Sequence, residues 1–241
     1  MGKAATAGAA GASGGDAAQA SAGAPLQVGR PPGSGAAAAG AGQAEAGRQG
    51  GAERPVPQRL LAEATRLFAE RGFEGTSVQE IVEAAGVTKG ALYHYFGSKD
   101  DLLHEIYGRL LRLQQERLDG VADSGGSATQ RLRAAAADVI VTTLENLDDA
   151  MIFFRSMHQL TAEKQQQVRA ERRRYHERFR ALIEEGQRTG EFAADLAPDL
   201  VVDYHFGAVH HLSSWYRPHG EFSAQQVADQ LAELLMRSLR P

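Results

Sequence analysis

The side chains best suited to do chemistry in this sequence are gathered in one short stretch, residues 88–94. Thr88, Lys89, Gly90, Tyr93 and His94 combine a small hydroxyl, a cation, a backbone bared by glycine and two hydrogen-bonding rings. At helical spacing they share one side of a segment whose other side carries Leu92 and Phe96. A short helix of that kind fits the major groove of duplex DNA, about 12 Å wide, with its N-terminal residues at base edges. Lys89 is expected to reach guanine O6 or N7, while Tyr93, His94 and Lys99 are expected at phosphates. Ser77 and Ser98 open the neighbouring helices, and helix N-termini turn free N–H groups toward phosphate oxygens. The residues for other chemistry are missing: the sequence has no Gly-rich phosphate loop after a strand, no Gly-x-Ser-x-Gly elbow and no paired-histidine metal motif. His205, His210 and His211 share one predicted helix, but their spacing does not stack them on one face. They read as structural or surface groups, with no metal and no cofactor implied.

The scaffold for these residues is legible in caps and apolar stripes. Pro57 suits a first helical position, and Leu60, Leu61, Ala64, Leu67 and Phe68 form a stripe that stops at Gly72. Ser77 with Glu80 is a capping box opening a helix that ends at Gly86, and Thr88 opens the next. Two short helices about a glycine turn, within residues 77–96, make a helix-turn-helix. Ser98 with Asp101 opens a long helix, followed by a loop over residues 119–127. Ser127 with Gln130, Thr161, Pro198 and Ser223 with Gln226 open four more, the first running to about Leu147. Strand-like alternation is absent, so the class is all-α.

Composition narrows the field further. The 241 residues carry 30 acidic and 26 basic side chains, a formal charge of −4 and no cysteine. That excludes a disulfide framework, a thiolate metal site and a cysteine nucleophile. It also excludes coating nucleic acid by bulk charge, so DNA contact must be local. Residues 55–103 hold five Lys or Arg against seven Asp or Glu, so those acids must lie away from the groove face. No run is apolar and long enough for a membrane helix, and no secretory signal follows Lys3. Residues 1–53 are mostly Ala and Gly, with Met1, Leu26 and Val28 the only bulky apolar residues. Such a segment cannot offset an ordering cost of about 1–2 kcal/mol per residue and reads as a disordered arm. It is either a solvated tail or a carrier for Arg48 and Arg54 toward a phosphate backbone.

The stretch TSVQEIVEAAGVTKGALYHYFGSKDDL, residues 76–102, together with the upstream LFAERGF, resembles the DNA-binding domain of TetR-family transcriptional regulators. The resemblance implies an all-helical homodimer, usually a repressor. Its small N-terminal domain would read a palindromic operator, and its larger C-terminal domain would bind an inducer. Carried onto this chain, it puts Gln79, Thr88, Lys89 and Gly90 at base-contact positions. It puts Thr76, Ser77, Tyr93, Tyr95 and Lys99 where members of the family hold phosphates. It also implies a bacterial cytoplasmic protein, associated with the nucleoid when bound to DNA. Members usually begin a few residues before the first helix, so the Ala/Gly arm is a departure.

The expected organisation is therefore an arm over 1–53, a three-helix DNA-binding domain over 54–114, and a ligand-binding and dimerisation domain over 115–241. Tyr204, Ala208, Leu212 and Trp215 recur at helical spacing, as do Leu231 and Leu235, and these are the candidate dimer faces unless they line their own core. Phe153, Phe154, Met157, His158, Tyr175 and Phe179 are candidates for an apolar ligand pocket or for ordinary core packing. Arg169, Arg172, Arg173, Arg174 and Arg178 are either a solvated face or an anion site. The segment SSWYRPHGEFSAQQVADQL, residues 213–231, is similar to TetR-type repressors of cholesterol and fatty-acid degradation, which respond to acyl-coenzyme A thioesters. The reading is a ligand-released repressor acting on duplex DNA. The alternatives are a DNA-binding protein without an inducer, or an all-helical lipid-handling protein or enzyme with an incidental helix-turn-helix.

Overall fold

The computed structural model describes residues 54–241, and the arm read over residues 1–53, with Arg48, lies outside the described residues. The described chain is helical throughout: α1 (Val56–Arg71), α2 (Val78–Ala84), α3 (Lys89–Tyr95), α4 (Lys99–Ala122), α5 (Ala128–Glu145), α6 (Leu147–Ser156), a 3₁₀ turn (Met157–Gln159), α7 (Ala162–Thr189), α8 (Pro198–Trp215) and α9 (Ala224–Ser238).

Local chemistry sets the starts. Ser77, Ser127 and Ser223 form full capping boxes with Glu80, Gln130 and Gln226, satisfying two orphan donors at each end. At α4 the Ser98 hydroxyl accepts from the Asp101 N–H and donates to the Asp101 carboxylate at 2.8 Å. The Asp101 side chain, one methylene shorter than Glu, is engaged by the hydroxyl instead of closing the box. α4 runs to Ala122, past the Asp119 at which the sequence predicted a loop. The gap read between Leu147 and Thr161 holds α6 and the 3₁₀ turn. Asn146 makes the break: it leaves helical geometry at φ −118° and its Nδ2 donates back to the Thr142 carbonyl at 2.8 Å.

The buried apolar side chains form two cores. The first joins Leu60, Phe68, Ile81, Val82 and Leu92 to Leu102, Leu103, Ile106 and Tyr107 of α4. It also takes in Ile152 and Phe153 of α6, with Leu160 and Val168. The second packs α5, α7, α8 and α9 around Ile140, Phe179, Phe206 and Leu235, and reaches Leu118 and Ala122 of α4. α4 is thus buried at its start in one core and at its end in the other. Three polar contacts tie the small helices to the larger body. The Tyr107 hydroxyl donates to the Ile152 carbonyl at 2.9 Å. Arg109 pairs with Asp149, a buried carboxylate whose desolvation raises its pKa against the pull of that guanidinium. Lys164 bridges Asp100 and Asp101 at the head of α4.

Replacing Tyr107 by Phe keeps the ring and removes the buried hydrogen bond to the Ile152 carbonyl. It is expected to lower unfolding free energy by about 1–3 kcal/mol in urea titration, whereas a surface change such as Arg112→Gln should be near neutral.

Candidate functional site

The helix-turn-helix is set by one glycine and one anchor. Gly86 has φ +63°, a left-handed value that side-chain-bearing residues rarely adopt, and it lets the Val87 N–H return to the Val82 carbonyl at 2.9 Å. The Arg59 guanidinium donates to the Gly86 carbonyl at 3.2 Å, holding the turn against α1. Thr88 caps α3 by accepting the Ala91 N–H, and Leu92, fully buried, plugs the helix into the first core. Rotation about that anchor leaves Thr88, Lys89, Gly90, Tyr93, His94 and Tyr95 exposed together. Tyr93 is 53% and Tyr95 49% exposed, large aromatic surface for a monomer to leave in water.

Pairing explains how an acidic segment presents such a face. Glu63 and Glu70 close on Arg66, Glu80 on Arg71, and Asp100 and Asp101 on Lys164. The Glu80 carboxyl is held below its ordinary range, first by the Ser77 N–H and hydroxyl and then by Arg71. Among the described residues of 55–103, Arg59, Arg66, Arg71 and Lys99 are all engaged, and Lys89 is the one Lys or Arg in no hydrogen bond or ion pair.

Several expected contacts are corrected by the geometry. Thr76 is buried, and its hydroxyl is committed to the Leu67 and Gly72 carbonyls, so its side chain cannot reach a phosphate. Lys99 folds inward: Nζ donates to the Phe73 and Thr76 carbonyls at 2.8 and 2.9 Å and lies 4.1 Å from the Phe73 ring centre. It clamps the loop before α2 rather than projecting to the backbone of DNA, with two carbonyls and a ring face in place of water around the ammonium. Ser77 stays exposed as a cap, and Gln79, also exposed, donates to Glu83 on its own helix.

The second site is a cavity of about 40 Å³ between α4, α5, α6, α7 and α8. Phe153, Phe154 and Tyr175 line it, as the sequence led one to expect. Met157 instead packs beneath the first core, His158 is exposed beside Gln159, and Phe179 is fully buried, stacked on His205 at 4.9 Å. Sequence reasoning missed Phe206, Val209 and His210 from α8 and His176 from α7, and it read Arg172 as a solvated face or an anion site rather than as a cavity wall. The spacing of Arg172, Tyr175 and His176 along one helix face was the available signal. His210, read as a surface or structural group, is a wall of the cavity. Burial lowers the pKa of His176 and His210 to about 4, assisted by the charge of Arg172. Arg172 and His176 also face a wider groove of about 440 Å³ that carries Arg169, Arg173 and Arg180, along with Asp199 and Asp203.

The third feature is an apolar stripe on α8, with Leu200, Tyr204 and Trp215 exposed at 69%, 64% and 45%, and Ala208 partly exposed between them. On α9 Leu234 is exposed and Leu231 partly so. Leu212 and Leu235 are corrected: both are buried in the second core, on the inner faces of their helices.

Two family profiles match this architecture. "Bacterial regulatory proteins, tetR family" matches residues 60–106, and "Tetracyclin repressor-like, C-terminal domain" matches residues 125–239. The regulator PfmR from Thermus thermophilus superposes with a TM-score of 0.70 at 30% identity, covering 76% of this chain and all of that one. This chain belongs to the TetR family. It is a DNA-binding transcriptional regulator, in a family of regulators rather than enzymes. The HTH-type transcriptional repressor KstR2 of Mycobacterium tuberculosis is 28% identical over 179 residues, 73% of this chain and 89% of that protein. The structure of AibR in complex with isovaleryl coenzyme A and operator DNA has a TM-score of 0.68 at 26% identity, covering 76% of this chain and 98% of that one. No helix among the described residues is long and apolar enough to cross a membrane.

The two lysines are expected to separate by assay. Lys89→Ala should leave the urea midpoint unchanged and weaken specific DNA binding by about 1–3 kcal/mol, relaxing sequence choice in a gel-shift competition. Lys99→Ala should lower the unfolding free energy by about 1–3 kcal/mol, because two loop carbonyls lose their donor.

Proposed function

We propose that the protein is a repressor that holds a palindromic operator as a homodimer in the bacterial cytoplasm and is released from it by an acyl-coenzyme A thioester. The observation that carries the ligand class is the junction at Arg172 and His176, where the apolar cavity meets an arginine-bearing groove. One end suits an acyl chain and the other suits phosphates, as an acyl thioester of coenzyme A requires. The AibR complex, a structural relative with isovaleryl coenzyme A, supports the ligand class; operator DNA is in the same complex, so release rests on the coupling of the cavity to α4 and not on that relative. Phosphates would meet Arg169, Arg173 and Arg180, while Phe153, Phe154 and Tyr175 would meet the acyl part.

The cavity, about 40 Å³, is far below the roughly 300–1,000 Å³ of a ligand pocket, so an acyl chain must displace side chains that line it, Phe153 among them, to enter. Phe153 belongs to the cavity wall and to the first core at once. Displacing it moves Ile152, the acceptor of the Tyr107 hydroxyl, and with it α4 and the attached helix-turn-helix. In a dimer this alters the distance between two α3 helices, which must match successive major grooves about 34–36 Å apart. Pairing of protomers is supported by the stripe of Tyr204, Ala208 and Trp215, with Leu231 and Leu234 on α9. Two helices per protomer make a four-helix interface, the geometry that fixes half-site spacing.

Fluorescence anisotropy with DNA from upstream of its own gene, at about 100 mM salt, tests the reading. Specific binding relieved by isovaleryl-coenzyme A is expected, and retention on DNA at saturating acyl-coenzyme A would overturn the inducer class. Trp215→Glu should yield monomers in sedimentation velocity and abolish operator binding while leaving the helical content intact.

A further inference from the structure

Arg172 is a cation without an anion. It is half-buried, with its guanidinium carbon 5.3 Å from the centre of the Phe153 ring. Among the described residues its one hydrogen-bonding partner is Nε2 of His210, at 3.3 Å, and no described carboxylate pairs with it. Lys164 and Arg131, two other shielded cations, each have carboxylate partners, and Lys99 is held by two carbonyls. A guanidinium only donates, so Nε2 of His210 must accept, and that imidazole is neutral in the free protein. One turn along α7, His176 lies stacked on Phe206 at 4.2 Å and faces the same cavity.

The charged and titratable surroundings lie mostly on the groove side. α7 contributes Arg172, Tyr175, His176 and, toward the groove, Arg169, Arg173, Glu177 and Arg180, the last paired with Glu184 and with Asp199 of α8. α8 contributes His210, with Asp203 at the groove side of His176 and the buried His205 behind. From α5, Asp138 acts on Tyr175 at a distance. α4 and α6 present only neutral groups here: Leu110, Leu111, Gln114, Ala150, Phe153 and Phe154. The wall therefore carries one unmatched positive charge and two unprotonated imidazoles beside an apolar void. A buried charge left unpaired is costly, and an incoming oxyanion removes that cost.

We propose that Arg172, His176 and His210 form a proton-linked oxyanion subsite, in which a carboxylate or phosphate of the ligand takes the place of His210 on Arg172 and draws one solvent proton onto an imidazole. The inference rests on the acyl-ligand reading and specifies it: the ligand brings its negative charge to the inner wall as well as to the outer groove. The proton goes to a ring nitrogen, which becomes a second donor to the same oxygen pair. The sign of the pH dependence follows. The imidazoles, with pKa values near 4 in the free protein, are raised by the bound anion, so the complex holds more protons than the free protein. Affinity then rises as pH falls from 8 toward 5.

Isothermal titration calorimetry of the full chain at pH 8 and pH 6, each in two buffers of different ionisation enthalpy, tests this with three probes. Isovalerate offers a carboxylate, isovaleryl-coenzyme A offers phosphates, and isovaleramide offers neither. An oxyanion probe is expected to bind about tenfold tighter at pH 6 with net proton uptake, and the amide to bind weakly and independently of pH. Tight binding by isovalerate assigns the carboxylate as the source, and binding by the thioester alone assigns the phosphate. Arg172→Gln should reduce the oxyanion probe to the level of the amide. His210→Gln should abolish most of the pH dependence, which separates it from titration of the ligand's own phosphates. Both variants should keep the wild-type urea midpoint and operator affinity. Thioester binding that is equal at both pH values and in both variants overturns the subsite and leaves the acyl-ligand reading standing. Failure of all three probes at both pH values overturns both.

Discussion

The hydrogen bond from Tyr107 to the Ile152 carbonyl lies where α4 leaves the helix-turn-helix and enters the larger body, and the architecture depends on it in both directions. Tyr107 is almost fully buried, and burial drives its phenol pKa well above the ordinary value, so the group acts only as a neutral donor. Because Ile152 and Phe153 pack with Leu60, Leu103 and Ile106, the small helices do not own a closed core. They share part of it with α6. A change in the body is therefore felt as a packing change beneath α3, without any flexible tether in between.

Electrostatics do a different job in the two halves. In the helix-turn-helix they cancel: Arg66, Arg71 and Lys164 absorb the carboxylates that would otherwise repel DNA. Little free charge remains at the proposed DNA face, so on the proposed reading selectivity there would rest on Lys89, the two tyrosines and two protomers acting together. In the body Arg172 meets neutral imidazoles at the cavity wall, while the groove beside it mixes Arg169, Arg173 and Arg180 with Glu177, Asp199 and Asp203. Paired charge thus lies beneath the helix-turn-helix, and one cation without a carboxylate lies at the cavity.

The helix-turn-helix was readable in the sequence because its signals are local. Ser77 with Glu80, the turn at Gly86 and the plug at Leu92 each act within a few residues, and the structure places them as spacing predicts. Long-range partners were not readable. Nothing near Lys99 in sequence announces the Phe73 and Thr76 carbonyls, and nothing near Thr76 announces the Leu67 carbonyl. The body shows the same limit. Apolar periodicity marked Leu212 on α8 and Leu235 on α9 as members of apolar faces, but it could not say whether those faces look inward or outward. The cavity lining comes from five helices, so only members with neighbours on the same helix, such as Phe153 and Phe154, could be inferred together.

The smallness of the cavity has a consequence for how the regulator would meter its signal. On the proposed reading, a void with room for only a few water molecules would make the DNA-competent arrangement the well-packed one, and an effector would first act as a wedge. The energy of displacing the lining side chains would then oppose every binding event, so apparent affinity would trail intrinsic affinity by the rarity of the opened form. Trace metabolite would leave the gene silent, and only accumulation would trip it. Mutations that enlarge this void would lower the trip point without touching a single contact to DNA or to the effector.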